Sequence, residues 1–196
     1  MTLQIQRVIY KRVLPGDQLK FRNKSNSTLT GGGARDLRFR PWDKYKPVIV
    51  QMFPKQKTRA TSRTVNGKRV PVQAIYHEGV LRYDAGGKPQ EMKLEFWEPT
   101  TARPNEARLS KVSSIPLFKP GGIKGNLGAV FMLLVQMSDG KLGAAWTYEQ
   151  YLRNNPGWNP KVRDPLVNAL DAASATTNLH GWIDLVAGKS EHISHG

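Results

Sequence analysis

Short stretches of alternating apolar and polar residues, each closed by turn residues, recur along the first three-quarters of this chain. That punctuation favours sheet over helix bundle. Leu3–Val13 alternates and is ended by Pro15-Gly16-Asp17, with Leu19–Arg22 as a short continuation. A polar loop at Asn23–Ser27 runs into Gly31–Gly33, and Leu37–Arg40 follows, closed by Pro41. Val48–Phe53 reads as a buried strand through its Val-Ile-Val run. Arg63–Val72 carries Asn66-Gly67, the dipeptide a type I′ hairpin turn prefers because both of its central residues need positive φ. Ala74–Tyr76, Val80–Tyr83 and Lys93–Trp97 are further short strands around a turn at Asp84–Lys88. Ala129–Gln136 and Leu142–Trp146 flank a Ser138-Asp139-Gly140 turn. The expected class is mainly β (α+β), a barrel or sandwich of short strands.

From Trp146 the pattern changes. Thr147 and Gln150 form a capping box, and Trp146 with Tyr151 can supply its hydrophobic staple. Asp164-Pro165 has the form of a second helix start, with Leu166, Val167 and Leu170 as its buried stripe. A β domain over residues 1–146 with a helical extension over 147–196 packed on it is the expected organisation. Ser190–Gly196 is expected to fray. The 196 residues suffice for one domain and an extension, and show no internal repeat.

Charge narrows the partner. The net charge is +15, and all of the excess lies in the first two-thirds: residues 1–124 carry 25 Lys+Arg against 9 Asp+Glu, residues 125–196 only 5 against 6. Such a field attracts polyanions. A membrane surface would call for a basic amphipathic helix, whereas the basic region reads as strands. The longest apolar run, Ala129–Val135, is too short to span a bilayer. The amino terminus lacks the pattern of a signal peptide. Without cysteine, disulfides and thiolate metal sites are excluded. A cytoplasmic protein without a cofactor, monomeric or dimeric, is the expectation.

Two segments carry a resemblance. Thr30-Gly-Gly-Gly-Ala-Arg-Asp-Leu-Arg-Phe-Arg-Pro41 follows the strand Val8–Val13, and Asn105-Glu-Ala-Arg-Leu-Ser-Lys111 precedes Pro116-Leu117, a Gly-rich step and the strand Ala129–Val135. In this order they resemble the amino-terminal effector domain of EcoRII-type restriction endonucleases. The resemblance covers roughly residues 5–146. It implies a seven- to eight-stranded DNA-binding pseudobarrel, related to the plant B-three domains, that grips the major groove with two arms. By position the first arm is Gly31–Arg40, offering Arg35, Asp36, Arg38 and Arg40. The second is Arg103–Lys111, offering Arg103, Asn105, Glu106, Arg108 and Lys111. The implied function is recognition of a specific double-stranded site in a restriction-modification system, with cleavage in another domain or subunit.

The residue chemistry is compatible with that implication. Arg presents a bidentate fork to guanine, Asn can pair with adenine, and Glu or Asp accepts from cytosine. Lys20, Arg22, Lys24, Lys55 and Lys57 are expected to contact phosphates, and Arg59, Arg63, Lys68 and Arg69 resemble them in lacking polar readers between them. Trp42, Tyr45, Trp97 and Trp146 are expected in the core, since duplex reading needs no stacking platform. Two other readings stay open. Glu91-Met-Lys93 matches half of a Mg²⁺-dependent nuclease site, for which Asp36 or Asp84 would supply the second carboxylate. A basic RNA- or ribosome-binding protein needs only the charge. His77, His180, His192 and His195 show no metal-ligand spacing, no Walker loop follows the glycines, and no catalytic residue is assigned.

Overall fold

The computed structural model describes residues 3–21, 36–65, 67–116 and 125–195. Among these residues the protein is mainly β: a curled, open sheet of ten strands with four α-helices. The strands are β1 (Ile5–Arg12), β2 (Leu37–Phe39), β3 (Lys55–Val65), β4 (Lys68–Ala85), β5 (Lys88–Trp97), β6 (Ala107–Leu109), β7 (Val130–Met137), β8 (Leu142–Tyr148), β9 (Asn178–Asp184) and β10 (Lys189–His195). Their order across the sheet is β10-β9-β1-β7-β8-β4-β5-β6-β2, with β3 paired to β4. The strand count exceeds the seven or eight expected because the last fifty residues contribute two.

The turns follow the signals. Val65 pairs with Lys68 across a two-residue loop in which Gly67 has φ +76°; Asn66 lies outside the described residues. The Asp84–Lys88 turn places Gly86 and Gly87 at φ +64° and +78°, the type I′ requirement. Between these turns β4 runs 18 residues without a break, so two expected strands are one.

Several expectations fail. Val48–Phe53 falls mostly in α2 (Trp42–Met52), not in a strand. Tyr45, Val48, Ile49 and Met52 recur three and four residues apart and are all buried, so helical spacing prevailed over the β-branched run. Leu19–Phe21 forms a turn of 3-10 helix after the short α1 (Pro15–Gln18), not a strand continuation. The extension is only half helical. Helix α3 (Glu149–Asn154) starts two residues after Thr147, which belongs to β8, and Tyr148 at its N-cap makes no side-chain cap. Helix α4 (Pro160–Asp171) begins at Asn159-Pro160, where Asn159 Oδ1 accepts from Lys161 N at 3.0 Å; the same cap grammar at Asp164-Pro165 lies inside the helix. Its buried stripe includes the expected Leu166 and Leu170. Residues 178–195 are then a hairpin, with Tyr10 opposite Gly181 on β9 and Gly181 opposite His192 on β10. Of the segment expected to fray, Ser190–His195 is thus a paired strand, and Gly196 lies outside the described residues.

Gly181 shows why this hairpin seats so closely. A Cβ there would come 2.1 Å from the Glu191 carbonyl and 2.7 Å from the Tyr10 hydroxyl. The sheet is apolar on both sides at β1 and β7. Val8, Tyr10, Phe131 and Leu133 pack under Leu152, Val162 and Leu166 of α3 and α4. Ile9, Met132 and Leu134 join the main core with α2, Leu81, Leu94, Phe96 and Leu109. This explains the continuous apolar run at Ala129–Val135. No helix among the described residues is long and apolar enough to cross a membrane.

Candidate nucleic-acid interface

The two segments that carry the resemblance are neighbours in the sheet. β2 pairs antiparallel with β6, placing Arg38 opposite Arg108. Arg108 in turn is opposite Trp97 on β5, Trp97 opposite Tyr76 on β4, and Tyr76 opposite Lys57 on β3. Directly opposite residues share a face of a sheet. One row across five strands therefore reads Arg38, Arg108, Trp97, Tyr76, Lys57. The alternate residues, among them Leu37, Leu109 and Phe96, face the core. Two-residue periodicity thus separates a basic face from a buried one.

The aromatic pair is a platform for the arginines. Trp97 and Tyr76 stack with ring centroids 4.8 Å apart. The Arg59 guanidinium lies 4.8 Å over the Tyr76 ring and 5.0 Å from that of Trp97, and Arg108 lies 5.2 Å over Trp97. Trp97 is buried, as its type led one to expect, but under two cations on the basic face. Tyr45 is fully buried in the core, against which Trp42 and Trp146 pack.

Beneath the cations lies a layer of carboxylates. Glu78 and Glu95 stand opposite each other on β4 and β5. Glu95 takes both arms of the Arg59 fork, at 2.8 and 3.3 Å, and Lys111 at 2.9 Å. Glu78 accepts from Lys57 at 3.0 Å and lies 3.7 Å from Lys93. Asp36 holds Arg108 at 3.2 Å, and Glu106 holds Arg38 and, at 3.0 Å, Arg103. The side chains of Asp36, Glu78 and Glu95 are each 7% exposed, against 36% for Arg108, 42% for Lys57 and 47% for Arg59. Acids face inward and cations outward.

The carboxyls respond to this placement. Burial alone pushes Glu78 up, but the Lys57 hydrogen bond and the charges of Lys57, Lys93 and Lys55 outweigh it and hold the group below its ordinary range. Glu95 is likewise held low, with burial overcome by Arg59 and Lys111. At Asp36 burial wins, and the carboxyl is raised despite Arg108 and Arg38. Seven cations thus surround four acids, leaving a net positive layer of orientated N–H donors. Such a layer suits phosphate oxygens and base-edge acceptors.

Other expected site residues take different places. Asn105 uses its side-chain oxygen on the first backbone N–H of α2, Trp42 N at 2.9 Å, leaving only its amide NH₂ for recognition. Lys55 is opposite Glu78 on the basic face. Lys20 instead binds Asp17 at 2.6 Å, and with Arg40 lines a cavity beside β2. Arg22, Lys24, Gly31–Gly33 and Arg35 lie outside the described residues. The suggested nuclease triad is not gathered. Asp36 is engaged by Arg108, while Glu91, near the β4–β5 turn, pairs with Lys141 at 3.1 Å and Arg82 at 3.7 Å. Among the described residues no three His, Asp or Glu side chains converge as a metal site.

Sequence reasoning missed the carboxylate layer. A signal exists: Lys55, Lys57 and Arg59 on β3 share the i, i+2 period with Tyr76 and Glu78 on β4 and Lys93, Glu95 and Trp97 on β5, so each set falls on one strand face. Registering the strands against one another requires long-range pairing that the local pattern does not encode. Comparison of the chain with protein-family models, with curated proteins and with solved structures finds no match.

Proposed function

We propose that the chain is a sequence-specific double-stranded-DNA-binding module of restriction-modification type, gripping the major groove with the β2 and β6 arms. Cleavage would belong to another domain or subunit, and the setting is cytoplasmic. The curled sheet would serve as the pseudobarrel of that family. One observation carries this reading: the two segments that resemble the recognition arms pair as adjacent strands, and Arg38 and Arg108 share their face with Arg59 and Lys57. Arg38, Arg103 and Arg108 are the base readers, held at fixed angles by Glu106 and Asp36. Lys55, Lys57, Lys93 and Lys111 lie along the same face as phosphate contacts. Aromatic rings capped by arginine are closed to base stacking, which favours duplex over single-stranded partners.

Selection of bound sequences from a random duplex pool, followed by competition with structured RNA, tests the proposal. Enrichment of a short consensus that RNA does not displace supports it. Equal binding to all duplexes and to RNA would favour a general polyanion binder.

A further inference from the structure

Beside β2, on the side where the sheet curls back toward β1 and β9, lies an open cavity of about 460 Å³. The volume is in the range of small-ligand sites. Lys11 of β1, Lys20, Arg38 and Arg40 give it four cations. Its two carboxylates are committed. Asp17 takes Lys20 at 2.6 Å and Lys11 at 3.5 Å, and Glu106 takes Arg38 and Arg103. Lys11 also donates to Asn178 Oδ1 at 2.5 Å, which leaves the Asn178 NH₂ as a donor. The Arg40 guanidinium has no hydrogen bond or ion pair among the described residues.

The decisive group is His180 on β9, which lines the cavity and is fully buried. Its Nδ1 is hydrogen-bonded to the Tyr45 hydroxyl, and its Nε2 has no partner among the described residues. Burial, reinforced by Lys11, His195 and Arg40, lowers the imidazole to about 3, so the ring is neutral. A neutral imidazole carries one N–H. Among the described residues Tyr45 has only His180 as an acceptor for its own O–H, so the arrangement that satisfies both groups has Tyr45 donating to Nδ1. The ring proton then sits on Nε2. An orphaned buried N–H is costly and calls for an acceptor, an anion or an ordered water. The uncommitted groups of Arg40, His180 and Asn178 are therefore all donors, in a cavity of positive charge.

We propose that this cavity is an oxyanion site that takes the phosphate of a nucleotide, with Arg40, Lys20 and His180 donating to it. The nucleotide identity rests on the polynucleotide reading of the neighbouring face; the oxyanion chemistry does not. Arg38 borders both the cavity and the recognition face, so phosphate bound here touches the arm itself. The phosphate has two possible sources, the backbone of a bound duplex and a free mononucleotide.

The test follows the His180 ring nitrogens by ¹⁵N NMR in the full chain. Inorganic phosphate and thymidine 5′-monophosphate are expected to shift Nε2, and thymidine to leave it in place. Arg40→Ala and Lys20→Ala each weaken the phosphate response about tenfold, the loss of one charge-assisted hydrogen bond, with an unchanged circular dichroism spectrum. If duplex DNA shifts Nε2 as well, and Arg40→Ala lowers the salt dependence of duplex binding, the occupant is a backbone phosphate. If duplex binds without moving Nε2, the occupant is the free nucleotide. No shift with phosphate or nucleotide, or an undiminished response in the Arg40→Ala/Lys20→Ala double variant, overturns the proposal and leaves the duplex reading standing. Failure of duplex to bind while phosphate still shifts Nε2 sinks the duplex reading alone.

Discussion

Arg38 and Arg108 stand directly opposite each other across β2 and β6. Like charges so placed destabilise a strand pair. The fold tolerates the pair by giving each guanidinium its own carboxylate, Glu106 for Arg38 and Asp36 for Arg108. Asp36 is almost fully buried to serve this purpose, at a cost visible in its raised carboxyl. Two apolar residues would stabilise the strands better. Retaining two braced, half-exposed arginines suits a surface whose partner is an anion.

In the proposed function, that arrangement divides base readers from phosphate positioners. Arg108→Ala is expected to weaken binding to the selected site by about 1–3 kcal/mol and to random duplex much less. Lys57→Ala is expected to weaken both alike and to reduce the salt slope by about one. Fluorescence anisotropy titrations at several salt concentrations check both, and equal losses for the two variants would remove Arg108 from base reading.

The carboxylate layer gives the fold an acid limit. Glu78 and Glu95 are held below their ordinary range, so their stabilising contribution is fully present above the unfolded value of about 4.3 and is lost as pH falls through their folded values. Asp36, whose carboxyl is raised, acts in the opposite sense and favours the folded state as pH falls. His180 and His192, lowered by burial, also resist protonation in the folded state. The melting temperature should therefore begin to drop below about pH 6.5, the unfolded histidine value, and fall further below about pH 4.3 as the paired carboxylates protonate. The Glu78→Gln/Glu95→Gln variant should start lower at pH 7 and show a shallower acid decline, as followed by thermal denaturation from pH 3 to 7.

Strand existence was legible in the sequence wherever two signals agreed, as at Asn66-Gly67 or at Ser138-Asp139-Gly140 between β7 and β8. It was illegible where signals compete. Val48-Ile49-Val50 suits either element, and the deciding contacts of Tyr45 and Met52 come from the tertiary core. β9 and β10 were missed because His180, Gly181, His192 and Ser194 break the apolar alternation; the hairpin is held instead by pairing to β1 and by the Tyr10–His192 hydrogen bond at 2.5 Å. At the site, residue types on the arms could be read. Their intramolecular partners could not, since Asp36–Arg108 and Arg38–Glu106 join residues about seventy positions apart.

The extension is expected to be indispensable to folding. Deleting residues 147–196 strips β9 from β1 and uncovers Val8, Tyr10, Phe131 and Leu133. The truncated chain should show no cooperative unfolding transition. The milder Leu166→Ala, at a fully buried position, should cost about 2–5 kcal/mol and leave the selected consensus unchanged. Denaturant titration checks the first quantity, and a shifted consensus would give the extension a part in base reading.

Asn105 supports a helix as well as an arm. Its side chain accepts from Trp42 N at 2.9 Å, and its carbonyl from the same N–H at 3.2 Å. Asn105→Ala keeps the carbonyl, so it should lower stability by less than about 1 kcal/mol even without DNA. Asn105→Asp keeps the acceptor and should retain stability while losing the amide donor. A binding defect shared by both variants marks the NH₂ as a DNA contact, whereas a defect in the alanine variant alone marks only the cap.

Glu106 gives the sharpest test of the arms. Alone it would be read as a cytosine acceptor, but its carboxylate already holds Arg38 and Arg103. In the proposed reading its role is to fix the angle of two guanidiniums, since a fork that is free to rotate contacts guanine and phosphate alike. Removing the negative charge should raise purely electrostatic affinity for any duplex. Glu106→Ala should accordingly bind random duplex as tightly as the parent or more so, while the preference for the selected site shrinks by about tenfold, or about 1.4 kcal/mol. Glu106→Gln keeps one acceptor oxygen and should fall between. If affinity for every sequence rises by the same factor, the selected preference survives, and the Arg103–Lys111 segment is a charged loop without a part in reading bases.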